Sequence, residues 1–135
     1  MNLEEFVTRA LETPFRARGR SLSDGWDCWG LVRSAYAELL GVELPSYGDD
    51  YLNTKDLAHL RSLVGSHLGD WERTDGPARL GDVALFRIEG QPVHVGLCVD
   101  HRRVLHVLEK QGTFIEPFNS MVWKRRLDGV YRYVG

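Results

Sequence analysis

Three side chains in this sequence have the types and spacing of a thiol-based acyl-transfer site. Cys28 stands in the run Asp24-Gly25-Trp26-Asp27-Cys28-Trp29-Gly30-Leu31-Val32, where an amphipathic segment begins. A thiol attacks as its thiolate, and the unpaired N–H groups and positive dipole end of a helix start lower a thiol's pKa. The same N–H groups can hold a developing oxyanion, and Gly25 and Gly30 leave room for a substrate backbone. Such a nucleophile needs a base within hydrogen-bond reach. His94 opens the run His94-Val95-Gly96-Leu97-Cys98-Val99, and His106 follows across a turn at Asp100 to Arg103. Histidines on neighbouring strands can hydrogen-bond each other, one as base and the other fixing its tautomer. A lone cysteine is most often a core residue, and a lone strand histidine a polar residue at a sheet edge. In combination they make Cys28 the nucleophile, His94 the base and His106 the residue that orients it.

The same residue types suit zinc, so a site of Cys28, His94, Cys98 and His106 has to be weighed. At about 3.3 Å per strand residue, His94 and Cys98 share a face but lie roughly 13 Å apart, too far for one metal whose ligands sit within about 2.3 Å. Cys98 therefore reads as buried core, and neither a metal nor another cofactor is implied. His59, His67 and His101 fall on a helix face or in loops and read as surface residues.

Positioning these groups takes a helix and a set of strands. Asn2 with Glu5 three residues on reads as a capped helix start. A Gly/Arg/Ser-rich loop runs from Thr13 to Gly25, and a central helix from about Asp27 to Leu40. In that helix Leu31, Val32, Ala35, Tyr36, Leu39 and Leu40 recur at three- and four-residue steps and Gly41 supplies the stop. Thr54 to Leu68 repeats the pattern more weakly, with Leu57, Leu60 and Val64 on one face and Asn53 or Thr54 as cap. Beyond Gly76-Pro77, five short β-branched and aromatic runs are predicted as strands: Val83 to Ile88, Val93 to Val99, Val104 to Leu108, Phe114 to Glu116 and Val130 to Val134. Strands this close must be joined as hairpins, so the class is α+β, with helices on a mostly antiparallel sheet.

Bulk properties bound the function. The 135 residues are 43% hydrophobic and 27% charged, ordinary for one soluble globular domain spanning 1–135. At this size folding buries roughly two-thirds of the unfolded surface, so no disulfide or structural metal is needed. The formal charge of -2, with only the short pairs Arg102-Arg103 and Arg125-Arg126 as solvated turn or edge residues, gives no nucleic-acid footprint. The acidic start is not a signal peptide and no apolar run is long enough to span a bilayer. Synthesis in a reducing cytoplasm, with both cysteines as thiols, is the expectation.

The run from Asp24 to Val32 resembles the nucleophile motif of NlpC-type peptidases, in which Asp-Cys-small-Gly-Leu/Phe-Val opens the central helix of a papain-like fold. Gly81-Asp82-Val83-Ala84-Leu85-Phe86 is similar to that family's first core strand, His94-Val95-Gly96 to its histidine strand, and His106 falls where its third polar residue lies. The resemblance runs from about Pro14 to the C-terminus. It implies a cysteine peptidase that hydrolyses a peptide or isopeptide bond of peptidoglycan stem peptides through a thioester, without a cofactor. The variant Gly-Trp-Asp-Cys-Trp-Gly-Leu-Val, with a closing Gly-Val-Tyr-Arg, is similar to the tail-assembly and tail-tip peptidases of long-tailed phages and prophages. Other tail proteins would then be partners, and a virion tail tip the final location. Two rivals are a structural tail-tip protein with a weak or unused site and an amidase or acyltransferase using the same triad. In bacterial relatives a Ser follows the Cys and, with the preceding Asp, holds the free amine of a stem peptide at the D-glutamyl-diaminopimelate bond. Here Asp27 is kept, Trp29 replaces the Ser, and Pro14-Phe15-Arg16 lacks the family's upstream tyrosine. Asp27, Trp29 and Trp26 are the residues expected at the substrate, Asp27 for an ammonium group and Trp29 for apolar or stacking contacts, the equally simple alternative being that Trp29 packs against the core and never meets substrate.

Overall fold

Asn2 starts the first helix as expected: its side chain accepts from the Glu5 amide at 2.8 Å and its amide nitrogen donates back to Glu5 Oε1 at 3.0 Å. This is helix α1, Leu3–Ala10, which buries Phe6 and Ala10. The computed structural model describes residues 1–44, 71–88 and 91–135. The weaker helical pattern at Thr54 to Leu68, with His59 and His67, lies outside the described residues. Strands β1 (Arg20–Ser21) and β2 (Gly25–Trp26) form a small antiparallel ribbon within the loop after α1. Directly after β2, helix α2 (Cys28–Ala35) begins at the cysteine itself.

The central helical segment runs to Leu40 and stops at Gly41 as its apolar pattern predicts, but it is α-helical only to Ala35. After Ala35 the chain widens into a π-helical turn, Tyr36–Leu40, and stops at Gly41 with φ 66°. In this stretch Tyr36 is buried and its hydroxyl donates to the Gly81 carbonyl, while Leu40 remains exposed. A π turn is the usual form of such a local adjustment of the i→i−4 ladder.

Among the described residues, six strands make the main sheet: β3 (Trp71–Thr74), β4 (Val83–Ile88), β5 (Gln91–Cys98), β6 (Arg103–Leu108), β7 (Gly112–Pro117) and β8 (Leu127–Tyr133). Their order is β3-β8-β4-β5-β6-β7, and every pairing is antiparallel. The α+β expectation holds. Local pattern does not announce the β1–β2 ribbon, edge strand β3 or helix α3 (Met121–Arg126), which Ser120 caps. Arg125 and Arg126 accordingly lie in the last helical turn and not in a turn or sheet edge, with Arg126 placed over the Trp123 ring.

Alternation along the strands divides the core. Val83, Leu85, Val95, Leu97, Leu105 and Val107 pack on one face with Phe6 of α1 and Leu31 and Val32 of α2. Ala84, Phe86, Cys98 and Val104 face the other way, beneath Trp123 of α3. Cys98 is thus core, as its apolar strand implies. The Gly-Asp and Gly-Val-Tyr-Arg runs meet on adjacent strands, where Arg132 grips buried Asp82 through Nε at 3.0 Å and Nη2 at 2.9 Å. A two-pronged guanidinium contact of this kind offsets the cost of burying the carboxylate.

Candidate active site

The placement of Cys28 follows from how its helix is capped. Asp27 is fully buried, and its Oδ1 accepts both from the Gly30 amide at 2.8 Å and from Arg20 Nη1 at 2.8 Å. An aspartate cap fixes the first turn and complements the helix dipole. Gly30 is required on the next turn: a Cβ there would meet the Gly19 carbonyl oxygen at 2.0 Å. The Gly19 to Asp27 loop can therefore fold directly over the helix start.

The sheet opens where Cys28 meets it. Strands β5 and β6 pair only at Leu97 with Leu105 and Cys98 with Val104. Beyond that they separate, and the Val95 amide, on the β6-facing side of its strand, lies against the Cys28 sulfur, as does the amide of Trp29. The two histidines occupy the opposite face at the same opening. His94 Nε2 and His106 Nδ1 share a hydrogen bond of 2.8 Å, and both rings are nearly sealed, 4% and 0% exposed. Gly96 permits the approach, since a Cβ there would meet Val104 Cγ2 at 2.4 Å and His106 Cβ at 3.1 Å. Phe86, Phe114 and Trp123 enclose the rings, with centroids 4.4 to 6.1 Å away. Beside them runs a cleft of about 300 Å³ lined by Phe114, Glu116, Ser120, Val122, Trp123 and Arg126.

Burial sets the electrostatics. The Cys28 thiol, 3% exposed, is pushed up to about 12 by desolvation and then by the Asp27 charge, which outweigh the Val95 and Trp29 amides and Arg20. The helix-start amide of Trp29 pulls the thiol down as expected, but burial decides the net direction. His94 is pulled down to about 3 by burial, then by the neighbouring His106 and Arg126, and His106 to about 4 by burial. Burial therefore favours the neutral forms of the thiol and of both imidazoles.

The same burial predicts acid sensitivity. In the unfolded chain each ring binds a proton near its ordinary pKa of 6.5; in the fold neither does until pH is far lower. As pH falls below 6.5, unfolding takes up protons and stability drops by about 1.4 kcal/mol per pH unit per ring, whereas above 6.5 the rings add no pH dependence. Thermal unfolding from pH 7 to pH 5 should give a falling Tm, and His106→Gln should flatten the profile. A wild-type profile no steeper than that of the variant would contradict two neutral buried rings.

Of the residues expected at substrate, Asp27 is engaged with Arg20 and the helix cap. Trp26 is fully buried, its indole N–H donating to Thr113 at 2.9 Å, and Trp29 packs edge-on against Trp71 with centroids 6.4 Å apart. None of the three presents a surface to the cleft beside the histidines. Glu116, Trp123 and Arg126, which do line that cleft, escaped the sequence reading because their placement depends on the β6–β7 register and on α3.

A helix that begins at a cysteine, packed on a mostly antiparallel sheet, is a papain-like α+β fold. The NlpC/P60 family profile matches residues 12–132, and the chain belongs to that family. It is 28% identical over 116 residues to the murein DD-endopeptidase MepS/murein LD-carboxypeptidase of Escherichia coli K12, covering 84% of this chain and 53% of that protein. It is 26% identical over 115 residues to the tail tip assembly protein K of Escherichia phage N15, covering 80% and 45%. The chain thus spans about half the length of these curated relatives. Among solved structures, a Staphylococcus aureus protein described as similar to a lipoprotein of the NLP/P60 family superposes with a TM-score of 0.63 at 23% identity, over 96% of this chain and 40% of that one. The P60 domain of an antigen of M. avium subspecies paratuberculosis gives 0.59 at 18% identity, over 97% and 94%. These likenesses show the fold.

Proposed function

We propose that this domain is a cysteine peptidase that hydrolyses a peptide or isopeptide bond in peptidoglycan stem peptides. The observation that carries the reading is the 2.8 Å His94–His106 bond at the opening of the sheet where the Val95 amide meets the Cys28 sulfur. With Nε2 of His94 engaged by His106, Nδ1 is the nitrogen left to accept the thiol proton. Sγ bonds to the scissile carbonyl carbon as that proton passes to His94, and the amides of Val95 and Trp29, which lie at the sulfur, are assigned as donors to the oxyanion. Collapse breaks the C–N bond, His94 returns the proton to the leaving amine, and a thioester remains. Water then attacks the thioester, giving its proton to His94; the C–S bond breaks and the thiol is restored. The murein endopeptidase relative supports this substrate class.

The engagement of Asp27 by Arg20 bears on specificity. A free substrate ammonium meets a carboxylate already neutralised at 2.8 Å, so a stem peptide needs no free amine to bind. Intact, amine-acylated wall is the proposed substrate, in keeping with a role at a phage or prophage tail tip suggested by the likeness to protein K. The test compares initial rates on intact sacculi and on free tripeptide and tetrapeptide stems at matched bond concentration, with products identified by mass spectrometry. Sacculi should be cut at least as fast as free stems. Activity confined to free stems would overturn the amine-blocked preference, and inactivity on both would leave the structural tail role.

A further inference from the structure

The buried ring of His106 has a second nitrogen that the triad does not use. Nε2 of His106 and Oε1 of Glu116 are both buried, and among the described residues neither has a hydrogen-bond partner within accepted geometry; they stand 3.5 Å apart. Antiparallel register explains their meeting. Val104 is opposite Glu116 and His106 opposite Phe114, so Glu116 lies on the histidine face, one diagonal step from His106. A glutamate side chain is long enough to span that diagonal.

We propose that Glu116 is a positioning residue of the site, whose carboxylate accepts from His106 Nε2–H and so completes a relay from Glu116 through His106 to His94. This rests on the peptidase reading for its catalytic consequence, though not for its geometry. With its proton on Nε2, His106 offers the lone pair of Nδ1 to the Nε2–H of His94. His94 is thereby held in the tautomer whose Nδ1 is free to take the thiol proton. When His94 becomes an imidazolium, the Glu116 carboxylate lies at the far end of the chain of hydrogen bonds and stabilises the charge through the shared ring of His106. An unpaired donor sealed between Phe86, Phe114 and Trp123 would otherwise be a costly vacancy in the polar accounting of the core. Among the described residues, the charged groups lining the cleft beside the relay are Glu116 from β7 and Arg126 from α3, and Phe86, Phe114 and Trp123 pack against the His106 ring.

Two readouts test this. In nitrogen–proton correlation spectra of the histidine rings at neutral pH, wild-type His94 and His106 should both be Nε2–H tautomers. Glu116→Leu should mix the His106 tautomers, while Glu116→Gln, whose amide oxygen still accepts, should keep them. In steady-state assays on sacculi, Glu116→Gln should lower kcat about tenfold with KM little changed, the effect of exchanging a charge-assisted for a neutral acceptor, and Glu116→Leu more. Restoration of activity by Glu116→Asp is not expected, since the shorter chain cannot reach. A wild-type His106 protonated on Nδ1, or tautomers unmoved by Glu116→Leu, would overturn the relay. If wild type cleaves nothing, the peptidase reading fails while the spectra still decide the role of Glu116.

Discussion

Cys28→Ala, Cys28→Ser and His94→Ala are expected to lower peptidoglycan hydrolysis by roughly 10³-fold or more, into the background of the assay. Without the sulfur no thioester forms. A serine hydroxyl is less acidic still, and in this sealed site it would face the desolvation that already pushes the thiol up to about 12. Without His94 the proton has no acceptor beside the opening of the sheet. His106→Ala should retain a measurable remnant, because it deprives His94 of its 2.8 Å partner and removes no reacting atom. The loss should fall on kcat, since His106 is fully buried and does not line the cleft. Unchanged circular dichroism would separate these effects from misfolding. Full activity in His106→Ala would move the orienting role to another group.

Gly30→Ala is expected to be the most damaging single-methyl change in the motif. The added Cβ would stand 2.0 Å from the Gly19 carbonyl oxygen and 3.1 Å from the Trp26 Cβ, and both neighbours are held in place. Trp26 is fully buried and tied to Thr113, and the Gly19 carbonyl accepts from the Asp27 amide at 3.3 Å. Backbone cannot rotate aside as a flexible side chain can, so the helix start and the loop over it must separate. A cost of about 3 kcal/mol, the upper end for overpacking, corresponds to a Tm lower by roughly 10 °C in a chain of this size. Thermal unfolding at pH 7 checks it. A loss under about 1 kcal/mol would mean that the loop yields easily and that the glycine serves substrate access instead.

Gly30 and a second glycine, Gly96, explain what is legible in the sequence and what is not. Gly30 and Gly96 could be seen in the Asp24 to Val32 and His94 to Gly96 runs, but their partners, the Gly19 carbonyl and the His106 Cβ, become neighbours only when the loop folds back and the strands align. Helix α1, the start of α2 and strands β4 to β6 followed from local pattern because capping residues and alternation act over a few residues. Edge strand β3 did not, since its pairing partner β8 lies some sixty residues away in the chain. Helix α3 was missed because its six residues give less than two turns of pattern, and its stability comes from Trp123 packing on the sheet.

By itself the sequence determined the chemistry on offer: one thiol at a capped helix start, two histidines on adjoining strands, and a motif set that fits the NlpC/P60 family. Those are properties of residue type and short spacing. Tertiary structure alone decided how far burial opposes ionisation, because desolvation depends on what closes over a group, and at Cys28 it outweighs the helix-start amide. It also turned Asp27 inward to Arg20, a partner seven residues earlier brought near by the β1–β2 ribbon. And it set Glu116 beside His106, since strand register, which no local signal of charge or hydropathy encodes, chooses the residue that faces a buried nitrogen.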